Sequence, residues 1–324
     1  METNITGMNY THSDFYTLFE TLEILYLVVL SVIILLGITG NGLVIWFVLF
    51  RMKKMVNFVW FLSLALADFT FCLILSLTVT ERTLGYWPFG TFMCKVNLLA
   101  LYLNMSASVL QLTVISIDRC ISVVFPVWCR NHRTPRLAIK VVLAVWIVSF
   151  LFNIPYFINS NVVIFNKFMY CVVDWSLEDV QVIIRIVVLF VIPFTIIFIC
   201  YTVILLHIRS RRTASTKPFK VLVSVIISFF FCWFPFHVFS LIYSYGSDAL
   251  YIHYEFGIAV ATHISILLAY SNSCINPLVY VFIGQGFKDK CWNAIKSGFE
   301  RAFTEDINLS LPKKDTFLPG HEMN

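Results

Sequence analysis

Charge-free apolar stretches long enough to cross a bilayer recur along this whole chain, and nothing else in the sequence constrains its fold as strongly. A helix needs about 20 consecutive mostly apolar residues to traverse the hydrocarbon core. Ile24 to Phe50, Val96 to Ile117, Val141 to Asn166, Val221 to Ser247 and Phe256 to Phe287 all qualify. Val56 to Thr80 is interrupted only by Asp68, and Ile186 to Leu206 comes directly after Arg185. The pattern predicts an all-α, seven-transmembrane helix bundle. Composition agrees: 59% of the 324 residues are hydrophobic and 13% charged, against roughly half and about a quarter in soluble domains. A soluble fold would have too little polar surface.

Basic residues near span ends stay cytoplasmic. With the N-terminus outside, all but Arg82, Lys95, Lys167 and Arg185 of the 23 Lys and Arg fall on inner segments. The net charge of +5 therefore reflects topology, and no nucleic-acid partner is expected. The expected organisation is an extracellular tail over 1–22, the bundle over 23–285, an amphipathic helix over 286–303 and a cytoplasmic tail over 304–324. The first 22 residues are polar, with Glu2, Asp14 and Glu20, and do not read as a signal peptide. Asn4 and Asn9 begin glycosylation sequons in this outer tail. Asn104-Met105-Ser106 also matches but lies in a span.

The same topology sorts the nine cysteines. Cys72, Cys120, Cys129, Cys200, Cys232, Cys274 and Cys291 fall in spans or on the reducing inner side. Cys94 and Cys171 alone reach the outer surface, so they are expected to pair, tying the third span to the loop after the fourth.

An ionisable group inside a span is costly and points to function. Asp68 is the clearest case, with Asn41, Asn104, Ser108, Asn272, Ser273 and Asn276 at similar depth on other spans. Oxygen-rich sets of this kind either coordinate a small hard cation or hydrogen-bond helix to helix, at about 0.6 to 2 kcal/mol each. Pro155, Pro193, Pro235 and Pro277 bend spans. Two of them stand in denser company: Phe229-x-x-Cys232-Trp233-x-Pro235 and Asn276-Pro277-x-x-Tyr280.

On those residues the chain resembles the rhodopsin-like G-protein-coupled receptors over nearly its full length. Gly40-Asn41, Leu66-Ala67-Asp68, Asp118-Arg119-Cys120, Trp146, Pro193 with Tyr201, Cys232-Trp233-Phe234-Pro235 and Asn276-Pro277-Leu278-Val279-Tyr280 mark the seven spans in turn. Phe287 then opens a short amphipathic helix. The resemblance implies a sodium pocket at Asp68, Asn104, Ser108, Asn272 and Asn276, with sodium as an allosteric ion and no other cofactor. It implies that Arg119, beside Asp118, meets a heterotrimeric G protein, with Tyr201 and Tyr280 holding the open state. Trp233, Phe229 and Pro235 become the packing switch beneath the ligand. Receptor kinases and arrestin are implied partners, with Ser297, Thr304, Ser310 and Thr316 as candidate phosphorylation sites. Cys291 reads either as a palmitoylation site or as a plain buried thiol. No acidic residue stands near Ser215 to latch Arg119.

The chain is more closely similar to the chemoattractant branch: formyl peptide, chemerin, anaphylatoxin and prostaglandin D2 type 2 receptors. Gly40 to Trp46, Trp87-Pro88-Phe89-Gly90, Asp118 to Val123, Pro126-Val127-Trp128, Asn131 to Thr134, Ser228 to Phe236 and Phe299 to Asp306 carry this likeness. It implies a peptide, protein or lipid agonist and coupling to the inhibitory G-protein class. Leu101 stands where amine receptors need an aspartate, and Phe256 to Phe287 has no lysine for retinal. Arg185 is expected to grip an acidic ligand group through two parallel hydrogen bonds; its alternative is snorkelling to the surface. His237 either faces it across the pocket or is a packing histidine. Gln181, Tyr102, Phe236 and Tyr270 complete the expected ligand set. Tyr102 replaces the aspartate of formyl peptide receptors, His237 their glutamine and Ser76 their proline. Outer acidic residues such as Glu23 and Glu81 either steer a cationic ligand or solvate loops.

Three other readings compete. A transporter should show internal repeats, and none is found. A membrane enzyme lacks any metal-ligand cluster or nucleophile–base pair here. A decoy receptor without G-protein signalling is opposed by the Asp118-Arg119 pair, although Cys120 departs from the commoner tyrosine. The expected location is the plasma membrane, among its lipids.

Overall fold

The computed structural model describes the backbone of residues 3–5, 8–10, 12–52, 55–173, 178–211, 217–246 and 248–283, with side chains over 17–52, 55–173, 181–207, 209, 226–246, 254 and 256–277. The predicted amphipathic helix with Cys291, the tail with its phosphorylation sites, Ser215 and the side chains of Asn4, Asn9 and Tyr280 lie outside the described residues.

Seven helices among the described residues are long and apolar enough to span a membrane. They belong to α1 (His12–Arg51), α2 (Val56–Leu84), α3 (Gly90–Val124), α5 (Pro135–Asn159), the continuous pair α6 (Glu178–Ile186) and α7 (Ile192–Arg211), α8 (Lys217–Tyr245) and α9 (Asp248–Ile283). A short α4 (Pro126–His132) joins the third and fourth spans. The chain is thus a seven-transmembrane bundle. Many apolar side chains face outward, such as Phe92, Ile147, Phe198 and Phe231. In water they would aggregate; against lipid they are solvated.

Backbone chemistry sets the ends. Gly85 closes α2 in the left-handed conformation (φ 74°), its N–H returning to the Glu81 carbonyl at 2.9 Å. Pro126 and Pro135 stand in the first turns of α4 and α5, where a missing N–H costs nothing, and the Thr134 side chain accepts the Leu137 N–H. α1 reaches well into the stretch expected to be tail. α9 carries a break at Tyr254 (φ −129°, ψ 17°), separating an outer cap from the membrane span Phe256–Pro277.

Two small antiparallel hairpins decorate the bundle: β1 (Thr3–Ile5) with β2 (Met8–Tyr10), and β3 (Ser160–Phe165) with β4 (Phe168–Val173). The second turns through Asn166 and Lys167, both at positive φ, as a two-residue hairpin turn requires. Cys171 on β4 forms the expected disulfide with Cys94 on α3. The buried Trp87 adds a second tie, its backbone N–H donating to the Met169 carbonyl at 2.7 Å.

α3 runs through the middle, touching α2, α5 and α7; α1 packs on α2 and α9, and α8 on α9. The outer ends of α1, α2 and α9 are joined by Arg82, which donates to Glu23 and meets His263, each at 3.2 Å. Deeper down, two glycines set the approach of α1. A Cβ on Gly37 would lie 2.3 Å from Cys72 Sγ, and one on Gly40 3.0 Å from Pro277. Gly37→Ala is therefore expected to lower thermal stability in nanodiscs, by about 1–3 kcal/mol for an overpacked core. Adding Cys72→Ala, which removes the opposing sulfur, should restore most of it; a double variant no better than the single one would show that the contact is not the cause.

Candidate functional site

Arg185 stands near the inner end of α6 and is 2% exposed, so it turns into the bundle and does not snorkel. A π-helical turn, Val187–Val191, comes directly after it. One extra residue in a turn rotates everything before it by roughly 100° relative to the helix beyond, and such bulges recur at functional sites. Pro193, which has no N–H to give, sits just below. The turn and the proline together aim Arg185 inward while the lower helix keeps its lipid face.

Aromatic and hydroxyl groups from three other helices meet the guanidinium. It lies 5.2 Å from the ring centre of Tyr102 on α3 and 5.2 Å from that of Phe236 on α8. Its Nη1 donates to the Tyr156 hydroxyl of α5 at 3.0 Å, while its Nε has no hydrogen-bond partner among the described residues. None of the ion pairs among those residues involves it. His237 is 3% exposed, packs on Phe236 at 5.7 Å and Phe190 at 4.9 Å, and its Nδ1 has no partner among the described residues. Gln181 stands one turn above Arg185. The structure therefore brings Arg185, His237, Tyr102 and Phe236 together, with Gln181 nearby. Tyr270 lies apart, in a cluster of α1, α2 and α9 residues edged by Leu101, its ring 5.6 Å from Phe71. Tyr156 and Phe190 join the site without having been marked by any motif; a tyrosine next to the helix proline Pro155 was the available signal.

Below this pocket the rings continue. Phe236 meets Trp233 edge-on at 5.6 Å, and Trp233 meets Phe229 at 6.0 Å. Beside them, Asp68 gathers the polar groups. Its Oδ1 accepts from Ser273 at 2.9 Å and its Oδ2 from Asn276 at 2.8 Å. Asn104 donates to Ser273 Oγ at 3.1 Å, and Asn41 to the Ser273 carbonyl at 2.8 Å. The predicted set Asp68, Asn104, Ser108, Asn272 and Asn276 is buried. Asn104 Oδ1, Ser108 Oγ, Asn272 Oδ1 and Asn276 Oδ1 have no partner among the described residues. Neutral oxygens around one carboxylate suit a hard monovalent cation.

At the inner end the pairing differs from expectation. Asp118 is gripped by Arg133, just after α4, through two bonds of 2.7 and 2.8 Å. Arg119 stands 3.8 Å from Asp118 and donates instead to Asn57, which Arg133 also reaches at 2.9 Å. Tyr201 lies beside Arg119 and Ser116. Sequence motifs assign neither Asn57 nor Arg133 to this site.

The description "7 transmembrane receptor (rhodopsin family)" matches residues 40–280. The chain belongs to the rhodopsin family of seven-transmembrane receptors. This is a family of receptors, not of enzymes. N-formyl peptide receptor 2 of Homo sapiens is 37% identical over 92% of the chain and 90% of its own length. Chemerin-like receptor 1 of Sus scrofa is 39% identical over 94% and 89%. The C3a anaphylatoxin chemotactic receptor of Danio rerio is 39% identical over 88% and 79%. The chain is thus a multi-pass plasma-membrane receptor, whose partners are extracellular ligands and G proteins.

In such a receptor the competition for Asp118 has a consequence. Arg133→Gln leaves the carboxylate to Arg119, strengthening that pair. Agonist-independent nucleotide exchange on the G protein is expected to fall several-fold, and Asp118→Asn to raise it. Equal basal exchange in all three proteins would remove Asp118 from control of Arg119.

Proposed function

We propose that the chain is a receptor for an extracellular chemoattractant bearing an acidic group, with its N-terminus outside, signalling through the inhibitory G-protein class. Arg185 carries this reading. Enclosing a guanidinium away from water costs several kcal/mol unless an anion accompanies it, and no carboxylate pairs with it among the described residues. A ligand's acid offsets that cost, and the surrounding rings accept the apolar part of the same ligand. The names of the relatives, for formyl peptides, chemerin and an anaphylatoxin, support the chemoattractant class. The basic residues gathered on the inner segments support the orientation. The Asp118-Arg119 pair favours signalling over a decoy role. Receptor kinases and arrestin complete the cycle through the tail hydroxyls, and Asn4 and Asn9 carry glycans.

Activation is a population shift, and an agonist must bind the open state more tightly to cause it. Sodium at Asp68, held by the unpartnered oxygens of Asn104, Ser108, Asn272 and Asn276, favours the closed state by bridging α2, α3 and α9.

Cells expressing the chain are challenged with formyl peptides, chemerin-like peptides, anaphylatoxin fragments and prostanoids, and cyclic AMP is read. One acid-bearing class lowers it, and Arg185→Ala abolishes the response with surface expression retained; an unchanged dose–response in that variant ends the acid role. Uptake of an agonist without any fall in cyclic AMP identifies a decoy. Replacing sodium by a bulky organic cation should tighten agonist binding in the parent and leave Asp68→Asn unaffected. Equal binding of the parent in both salts excludes the ion.

A further inference from the structure

The bonding of Arg185 narrows the kind of acid it can take. We propose that Tyr156 is a positioning residue that, with Tyr102 and Phe236, leaves one edge of the Arg185 guanidinium, Nε with Nη2, to the ligand. The pocket then selects a planar carboxylate on an apolar group over a tetrahedral anion. This rests on the acid-binding role proposed for Arg185.

A guanidinium offers five N–H donors in a fixed plane. Two of its edges can fork a carboxylate: Nη1 with Nη2, and Nε with Nη2. Tyr156 takes one of the Nη1 donors at 3.0 Å and sets its ring and hydroxyl against that end of the guanidinium, which disfavours the first edge. Nε is enclosed and has no partner among the described residues. The rings of Tyr102 and Phe236, each 5.2 Å away, cover the cation and block hydrogen bonding where they lie. What remains is the Nε–Nη2 edge, with the spacing and parallel bonds that suit two carboxylate oxygens.

Tyr156 is itself held firmly enough to do this. It is 4% exposed, and its ring stacks on Tyr102 at 3.7 Å and 19°. One turn earlier on α5, Asn153 donates to Ser106 of α3 at 2.6 Å, and Ser106 is one turn below Tyr102. α3 and α5 are thus joined at two successive levels, and the hydroxyl that holds Nη1 is fixed by both. Tyr156 acts through Arg185 and not on the ligand.

Shape and hydration then separate the anions. A carboxylate has two oxygens, and the edge supplies two donors. A sulfonate or phosphate has three outer oxygens, so one is left among rings, where an unpartnered polar atom is costly. His237, whose Nδ1 has no partner among the described residues, packs on the same Phe236 ring. A lysine offers a point charge and no fork, so the preference depends on arginine.

The test uses the full chain in phosphatidylcholine nanodiscs, with thermal unfolding read against hexanoate, hexanesulfonate, hexyl phosphate and hexanol. Hexanoate is expected to raise the midpoint saturably, with the other three producing no shift at equal concentration. Tyr156→Phe keeps the ring stack but orphans the buried Nη1 donor, so its ligand-free midpoint falls and each ligand shift is read against that lower midpoint. It should weaken hexanoate by about tenfold, as losing one bond to a charged group implies, and erase its advantage over hexanesulfonate. Arg185→Lys should erase that advantage too. Equal stabilisation by hexanoate and hexanesulfonate, lost in Arg185→Ala, would overturn carboxylate selection and leave the acid reading standing. Selectivity unchanged in Tyr156→Phe would remove Tyr156 from it. A hexanoate shift that survives in Arg185→Ala, or no hexanoate shift at all, would overturn both.

Discussion

One carboxylate in the middle of the membrane organises the rest. Asp68 is fully buried, and the lipid around the bundle has nothing to offer it. Its two oxygens are met by Ser273 and Asn276 of α9. Ser273 also binds Asn104 of α3, and its carbonyl takes Asn41 of α1. Four helices therefore converge on a single anionic point. Apolar side chains cannot impose such a register, because lipid solvates them as well as another helix does. Close approach completes it: Gly37 and Gly40 let α1 lie directly on Cys72 and Pro277.

On the neighbouring helices a series of contacts runs down from the pocket. Arg185 touches Phe236, Phe236 touches Trp233, and Trp233 touches Phe229, all but the first on α8. Any shift of the guanidinium toward a ligand is therefore felt along one helix. α8 packs on α9, which carries Ser273 and Asn276. The pocket draws on α8 and the carboxylate knot on α9, so under the proposed function an acid above and a cation below would both act on the way α8 and α9 pack. Two sites that bias one two-state element are coupled without any contact between them.

The seven spans were legible because the bilayer enforces a length and a polarity that few other forces mimic. The disulfide came from topology, since only Cys94 and Cys171 reach the outer face. The Asp68 group was legible for the same reason: polar residues in an apolar span stand out. The inner pairing was not. Asp118 and Arg119 are adjacent in sequence, and nothing local tells that Arg133, across the α4 turn, reaches the carboxylate better. Tyr156 escaped notice because a tyrosine near a span end is common, and its role depends on an α6 rotation set by the π turn at Val187–Val191. Tyr270, expected in the ligand set, packs on Phe71 with Tyr102 of the pocket nearby. The second hairpin was signalled by the Val, Ile, Phe and Tyr residues around Asn166-Lys167, a pattern overshadowed by their overall hydrophobicity.

The unsatisfied polar atoms say which parts of the bundle are built for change. Arg185 Nε, His237 Nδ1, Trp233 Nε1, Asn104 Oδ1, Ser108 Oγ, Asn272 Oδ1 and Asn276 Oδ1 are all enclosed and without partners among the described residues. They lie on α3, α6, α8 and α9, along the series from the pocket to the knot. Across the bundle, polar side chains instead tie helix to helix: Gln111 links Ser63 to the Trp60 carbonyl at 3.0 and 2.8 Å, and Trp146 donates to Ser63 at 3.1 Å. An orphaned buried donor or acceptor costs about 1–3 kcal/mol, and Trp60 Nε1, Ser149 Oγ and Asn153 Oδ1 on α2 and α5 stand in the same position among the described residues. Under the proposed function an anion would satisfy Arg185 Nε, and a cation beside Asp68 would satisfy the oxygens of that set. The α2–α3–α5 side is cross-linked by Gln111, Trp146 and Asn153, whereas the proposed ligand site draws on α6 and α8 and the proposed ion site on α9, the helices whose packing an agonist must shift.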